Sequence, residues 1–344
     1  MEAIVGSRFY CTRSAGTTAK AENHRANAAT NAKVTIAREI SLSLPLPIPH
    51  LELIDYAETS FRDFPAPQAA CDDIGMTEAT LEPYEIYAVK YAWRAATRND
   101  HLIFKDPHDD PAMPMDYFVW AIVGKHKTFV LDSGFDREEG ERRGRSFLRH
   151  PADGLRMIGV EAENIGDLII SHLHYDHIGT WDDFSKAKLY LQEAELRYAV
   201  GRQMRHRILR HSFTFSHIEG VIRALYDDRV HFADASEEIA PGLSLHHVGG
   251  HTVGLQVIRV WTRRGWMVLA VDASHYYMNF EEIQPYRTVN HVGDMLTAYG
   301  TMAKLANSPK HIIPGHDPLV MQRYPAASKE TEGIVVRLDA DPLY

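Results

Sequence analysis

Hydrophobic and polar positions along the chain fall into short apolar runs separated by polar breaks, and regular patterning begins near residue 83. Residues 84–93, rich in aromatic and β-branched side chains, predict a strand at a sheet edge, followed by a polar loop with Asp106, Pro107, Asp109 and Pro111. Apolar runs at 117–123 and 128–132 flank Gly124-Lys125-His126 and predict a hairpin, whereas the charged stretch 137–149 predicts an exposed helix. Residues 165–171 form a short apolar run that reads as a buried strand. Beyond it, 194–200 and 218–226 carry helical spacing, and 243–248, 255–261 and 267–271 read as strands, the last two pairing around Arg263-Arg264-Gly265. Residues 293–306 predict a helix, 311–313 a short strand and 334–338 an edge strand. Helices and strands alternate in both halves, which predicts one α/β domain with sheets between helical layers.

Composition narrows the functional classes. The 344 residues are 45% hydrophobic and 24% charged, with no apolar run long enough for a membrane span or an export signal, so the expectation is a cytoplasmic protein with no membrane partner. Only Cys11 and Cys71 are present, which excludes a cysteine zinc site or a disulfide scaffold. A net charge of -9 argues against a nucleic-acid surface. Residues 1–38 carry six Lys/Arg against two acids, leaving -13 for the remainder. That break predicts a flexible extension over residues 1–75, or a transit peptide or misplaced start with Met76 as the alternative, ahead of a catalytic domain at 76–344. No pattern in the chain sets an oligomeric state. The unusual count is 20 His.

Ser171-His172-Leu-His174-Tyr-Asp176-His177 places three imidazoles and a carboxylate within six residues at the end of an apolar run. Such a match arises by chance roughly 0.004 times in a chain of this composition. Alternate residues of an extended segment project to one side, so His172 and His174 can share one metal while Asp176 and His177 turn toward a second. Imidazole and carboxylate donors suit zinc first, and also Mn, Co or Fe. Further ligands are available downstream. His251 lies between glycines after a strand, Asp272 ends the apolar run 267–271, and His316 follows Ile312-Ile-Pro-Gly.

The ordered series His172, His174, Asp176, His177, His251, Asp272 and His316 resembles the metallo-β-lactamase superfamily, and the resemblance spans the chain from about residue 83 onward. It implies a four-layer αββα sandwich with a dinuclear site at one edge of the sheets. His172, His174 and His251 would hold one divalent ion, Asp176, His177 and His316 the other, and Asp272 would bridge them. The phrases Asp116-Tyr-Phe-Val-Trp120, Val271-Asp-Ala-Ser-His275 and Pro314-Gly-His-Asp-Pro318 resemble N-acyl-homoserine lactonases and pyridoxolactonase-type relatives. One departure stands out: those lactonases commonly carry a substrate-contacting Tyr three residues after the bridging Asp, and here that residue is His275, followed by Tyr276 and Tyr277.

The implied function is opening of a small-molecule lactone by a hydroxide shared between the metals, with Asp176 carrying its proton and His275 or Tyr276 contacting the substrate. Tyr117, Phe118, Trp120, Trp181, Tyr276 and Tyr277 are candidate pocket walls, although aromatics in a strand, Phe118 and Trp120 above all, pack more often as core. The Arg202–Arg207 run with Arg210 and His211 offers contacts to an anionic substrate but reads first as a solvated helical face, and Asp182 and Asp183 read as a helix start. His246 and His247 read as outer partners of the site or as strand histidines facing solvent. A thioester hydrolase of glyoxalase II type is the alternative. A phosphodiesterase is opposed by the acidic balance, a β-lactamase by Asp272 standing where those enzymes commonly place Cys or Ser, a di-iron oxidase by His174 in place of Glu. A non-catalytic binding module is opposed by the full ligand set.

Overall fold

The computed structural model describes residues 81–344, which lie within a single compact unit. The expected extension at 1–75 and the alternative start Met76 fall outside the described residues.

The first apolar runs build an antiparallel meander: β1 (Glu85–Arg94), β2 (Met115–Val123) and β3 (Thr128–Leu131). β4 (Ser146–Phe147) pairs with β1. Three strands then add in parallel beyond β3, namely β5 (Asp167–Ile169), β6 (Lys188–Leu191) and β7 (Val230–Phe232). The second sheet holds β8 (Ser236–Ala240), β9 (Leu243–His247), β10 (Gln256–Thr262), β11 (Gly265–Val271) and β12 (Ile312–Pro314), antiparallel except for the β11–β12 pair. Finally β13 (Val335–Arg337) pairs with β1 and forms an edge of the first sheet, as the sequence predicts, and by covering β1 it makes that strand internal rather than the sheet edge expected for residues 84–93.

β2 is apolar nearly throughout because both of its faces are covered. Phe118, Trp120 and Ile122 join the layer that includes Leu245, Val257 and Leu269 of the second sheet, while Val119 and Ala121 face the other way, into a cluster with Leu155, Leu196, Ile218 and Val221. Those last four come from the helices Pro151–Arg156, Glu193–Ala199 and Phe215–Tyr226, which cover the first sheet. The helix Val292–Leu305 packs Met295, Ala298, Tyr299 and Met302 into the cluster that holds the second sheet. Helix, sheet, sheet and helix therefore stack in the αββα order. No helix among the described residues is long and apolar enough to cross a membrane.

Two departures from the sequence reading have local causes. The helix expected over 137–149 is only Arg137–Arg142; Gly144, at φ 67°, turns the chain into β4, and Glu139 is buried because it pairs with Arg142 and Arg143. The strands β6, β7 and β8 carry too few alternating positions to register as periodic, and exist through pairing with neighbours that are already fixed. A polar clasp ties the sheets where the histidine cluster begins. Gln256 of β10 donates from Nε2 to the Ile170 and Tyr190 carbonyls at 2.9 and 3.1 Å, and its amide donates to the Ser171 carbonyl at 3.1 Å.

Trp120 is the largest fully buried side chain of the layer between the sheets. Trp120→Ala is expected to cost about 3–5 kcal/mol of unfolding free energy, read as a lowered urea midpoint; an unmoved midpoint would show that this layer does not hold the sheets together.

Candidate metal centre

The chain leaves β5 into Ser171 and an extended stretch carrying His172 and His174, then makes one helical turn, Tyr175–Ile178, that brings Asp176 and His177 round to the same side. His251 is aimed by Gly249 and Gly250, both at positive φ (64° and 87°); a Cβ on Gly250 would lie 2.6 Å from the Met295 amide nitrogen. Asp272 follows β11 immediately, after Val271 at φ 41°, a strained conformation for a β-branched residue. His316 follows β12, and Gly315 before it admits that approach, since a Cβ there would meet the Val271 carbonyl oxygen at 2.6 Å and Asp272 Oδ1 at 2.9 Å. The carboxyl ends of β5, β9, β11 and β12 thus deliver the seven donors to one place.

These donors form two triads. His172, His174 and His251 cluster on one side, and Asp176, His177 and His316 on the other. Asp272 faces both. Its Oδ2 lies 3.2 Å from His251 Nε2 and 3.8 Å from His172 Nε2, while Oδ1 lies 3.0 Å from His316 Nε2 and 3.3 Å from His177 Nε2. The Asp176 carboxylate sits 3.9 Å from both His177 and His316 Nε2.

The outer ring nitrogens decide what the inner ones are. His251 Nδ1–H donates to the Thr288 carbonyl at 2.6 Å and His316 Nδ1–H to the Asp116 carbonyl at 2.8 Å. His177 Nδ1–H donates to Asp132 Oδ2 at 2.7 Å. Ser171 gives its hydroxyl proton to Asp132 at 2.8 Å, so at 3.0 Å it accepts from His172 Nδ1–H. In the neutral ring each Nε2 is then a bare lone pair pointing inward. His251 Nε2 lies 3.2 Å from His172 Nε2, which places acceptor against acceptor, and 2.9 Å from His174 Nδ1. His177 Nε2 and Asp272 Oδ1 are buried with no hydrogen-bond partner. Lone pairs converging in a buried site fit divalent cations between them, and the outward bonds are those that fix ligand tautomers.

Burial and the neighbouring imidazoles hold His172 well below the usual histidine range, and burial with His251 does the same to His174. Burial pulls His251 down to about 3. Burial also opposes charge on His177 and His316, but facing Asp272 outweighs it and raises both. Asp272 is held well below the carboxylate range despite burial, by His316, His177 and His275. The ionised Asp272 is the electrostatic centre of the cluster.

Four further groups position the ligands without any motif to announce them. Asp132 ends an apolar run and gathers Ser171 and His177. Glu195, fully buried on the helix Glu193–Ala199, accepts from the Leu173 amide at 3.0 Å and the Gly254 amide at 2.8 Å, and so clamps the two histidine-bearing loops together. Gly254 must lack a side chain, since a Cβ would come within 2.3 Å of the Glu195 nitrogen. Tyr286 donates to the Asp272 carbonyl and stacks on His275 with 3.7 Å between ring centroids. Of the four, Asp132 had a sequence signal as a carboxylate at a strand end and Gly254 as one of the glycines around His251, whereas Glu195 and Tyr286 had none.

The cluster opens into a cleft of about 810 Å³ lined in part by Tyr117, His101, His275 and Tyr286. His275 sits 3.0 Å from Asp272 Oδ2, and Tyr117 stands edge-on to His316 at 5.1 Å. The other aromatic candidates lie elsewhere. Phe118 packs between the sheets because the strand alternation points it away from Tyr117. Tyr277 packs beneath Arg323 and beside Phe280, and Trp181 fills the space above Gly220. Tyr276, expected as a catalytic contact, turns its hydroxyl to His101 Nε2 at 2.9 Å and the Pro114 carbonyl at 3.2 Å, which makes it a support for the cleft wall. His246 is held by Ser236 and Ser244, and His247 by the Val253 carbonyl, so neither joins the cluster. Asp182 and Asp183 lie in the short turn Trp181–Asp183. Within the arginine run, Arg202 and Arg205 are exposed away from the cleft, whereas Arg207 and His211 line it.

The metallo-β-lactamase superfamily profile matches residues 113–316, more than half of the chain. An N-acyl homoserine lactonase of Bacillus thuringiensis is 30% identical over 135 residues, 38% of this chain and 48% of that protein, so the match spans about half the length of that relative. An N-acyl homoserine lactonase of Agrobacterium fabrum is 26% identical over 194 residues, 52% of this chain and 65% of that protein. Among solved structures, an N-acyl homoserine lactone hydrolase with N-hexanoyl-L-homoserine bound at its catalytic metal centre superposes with a TM-score of 0.59 at 18% identity, over 70% of this chain and 96% of that one. A dizinc quorum-quenching lactonase gives 0.56 at 15% identity, over 70% and 89%. At these identities the structural likeness speaks for the fold.

Asp272→Ala is expected to lower bound divalent metal from two ions per chain to below one, by elemental analysis after dialysis; full retention would remove Asp272 from the centre. Glu195→Gln, which sets an amide NH₂ against one of two buried N–H donors, is expected to cost about 1–3 kcal/mol of stability and to speed metal loss to a chelator.

Proposed function

The chain belongs to the metallo-β-lactamase superfamily, and from that premise we propose that it is a dinuclear metal-dependent hydrolase that opens the ring of an N-acyl-homoserine lactone or a related small lactone. The observation that supports it most is one carboxylate, Asp272, facing two donor triads at the floor of a cleft. Two divalent cations held there, zinc first and Mn, Co or Fe by the same donor chemistry, would supply Lewis acidity toward an ester carbonyl and lower the pKa of a water toward about 7.

The protein's own groups do the rest. Asp176, at the boundary between ligand cluster and cleft, is placed to take the proton released as water adds to the carbonyl carbon. It returns that proton to the ring oxygen as the carbon–oxygen bond breaks, which leaves a hydroxy acid. His275 is kept neutral at physiological pH, since burial brings it down to about 4. With Nε2–H donated to Asp272 Oδ2, its Nδ1 is an acceptor with no partner among the described residues. An acceptor on the cleft wall suits a substrate N–H such as the amide of an acyl-homoserine lactone. Stacking on Tyr286 holds the ring in place.

The test is a panel offered to metal-replete protein: acyl-homoserine lactones, 4-pyridoxolactone, S-lactoylglutathione and a phosphodiester. A lactone is expected to exceed the other classes in kcat/KM by about a hundredfold or more; preference for S-lactoylglutathione would replace this reading with a thioester hydrolase. His275→Phe is expected to lower kcat/KM on the preferred lactone by about 10–100-fold with both metals retained, and unaltered kinetics would remove His275 from the substrate contacts.

A further inference from the structure

The cleft carries more positive charge than its chemistry uses. Arg94, Arg145, Arg207 and Arg287 all line it, and none has a carboxylate within ion-pairing distance among the described residues. The cleft acids are otherwise engaged: Asp176 and Asp272 belong to the ligand cluster, and Asp100 accepts from the Thr97 amide at 2.9 Å. Elsewhere in this net-acidic chain, arginines such as Arg142, Arg156, Arg223 and Arg337 are paired with carboxylates. Gathering unpaired guanidinium groups around one concavity costs repulsion energy that an anionic occupant relieves.

Two of these side chains are braced from behind. Arg94 Nη2 lies 3.4 Å from His101 Nδ1, and its Nε is buried with no partner. Arg145 donates from Nε to the Tyr175 hydroxyl at 2.9 Å and from Nη1 to the Arg143 carbonyl at 2.9 Å. Its guanidinium stands 5.9 Å from the Tyr117 ring, whose centroid is 5.1 Å from the His316 ring. A single aromatic ring thus separates this cation from the ligand cluster. Arg94, Arg145 and Arg207 also line an adjoining groove with Phe215 and Ile222, so they stand where the two spaces meet.

We infer that the substrate carries an oxyanion substituent, a carboxylate or a phosphate, which the Arg94, Arg145 and Arg207 guanidinium groups bind while its ester lies at the metal centre. Guanidinium forks match either oxyanion in bidentate fashion. The inference rests on the hydrolase reading and narrows it to the second of its two substrate classes, a related small lactone that carries an anionic substituent, since an acyl-homoserine lactone is uncharged and leaves these cations idle.

The test compares three rings on the metal-loaded full chain: γ-butyrolactone, its γ-carboxylate, and its γ-phosphomethyl derivative. The ratio of kcat/KM for an anionic ring to that for the bare ring is expected to reach about thirtyfold or more, and to fall about tenfold in Arg94→Gln and in Arg207→Gln. Whichever anionic ring shows the larger ratio identifies the oxyanion. A ratio near one in the parent protein, or one unmoved in both variants, overturns the inference while lactone turnover keeps the hydrolase reading. If no ring is opened, the lactonase reading fails by itself. Binding of the unhydrolysed lactam pyroglutamate against 2-pyrrolidinone, by calorimetry, then decides: tighter binding of the anion that is lost in the variants supports the arginine site, and equal binding removes it.

Discussion

The constraint on which the rest of this structure depends is the convergence of unshared electron pairs on the two sides of Asp272. Four of the five clustered histidines commit their outer nitrogen to an acceptor that leaves no choice of tautomer, so the inner nitrogens have no proton to share when neutral. A buried site of this kind is repulsive without positive charge, and protons alone serve only the His177 and His316 side, where the carboxylate sustains them. Divalent cations satisfy both sides at once. The backbone is bent to the same end. Val271 adopts a left-handed conformation immediately before Asp272, and Gly250 and Gly315 allow approaches closer than any Cβ permits. Strain at these points is sustained by the sheets on which they sit.

The fold separates two duties. Apolar layers on both faces of β2 and β11 fix the strand ends, and the polar chemistry occurs only where those ends emerge. Buried acids outside the ligand set act as fasteners rather than reactants. Asp132 orients one histidine directly and another through Ser171, and Glu195 ties the loop after β5 to the loop that carries His251. Both are fully buried and both spend their oxygens on donors of the ligand loops, which is how a carboxylate is tolerated in such a place. The cleft above is asymmetric, with imidazole and phenol rings near the cluster and guanidinium groups farther out. That asymmetry bears on substrate choice more directly than the ligand set, which hydrolases of several kinds can share.

The sequence by itself determined the order of the main strands, the layered class of the fold and the first four clustered donors, because each is carried by residues close together in the chain, whereas His251, Asp272 and His316 were legible through the resemblance of the ordered series to a known family. Strand β2 declares its two covered faces through an unbroken apolar run, and His172 to His177 form a cluster before any folding occurs. Short strands such as β7 carry no such signal, since three residues cannot display a period and depend on a neighbour to pair with. Tertiary structure alone decided which aromatic side chains meet the cleft. Tyr117 and Phe118 are adjacent in sequence and chemically alike, yet the pleat sends one beside His316 and the other between the sheets. It alone recruited Glu195 and Tyr286, and it set Arg207 on the cleft while Arg202 and Arg205, before it in the chain, lie away from it. A side chain's surroundings are set by contacts across the whole chain, and local sequence records only which groups are available to make them.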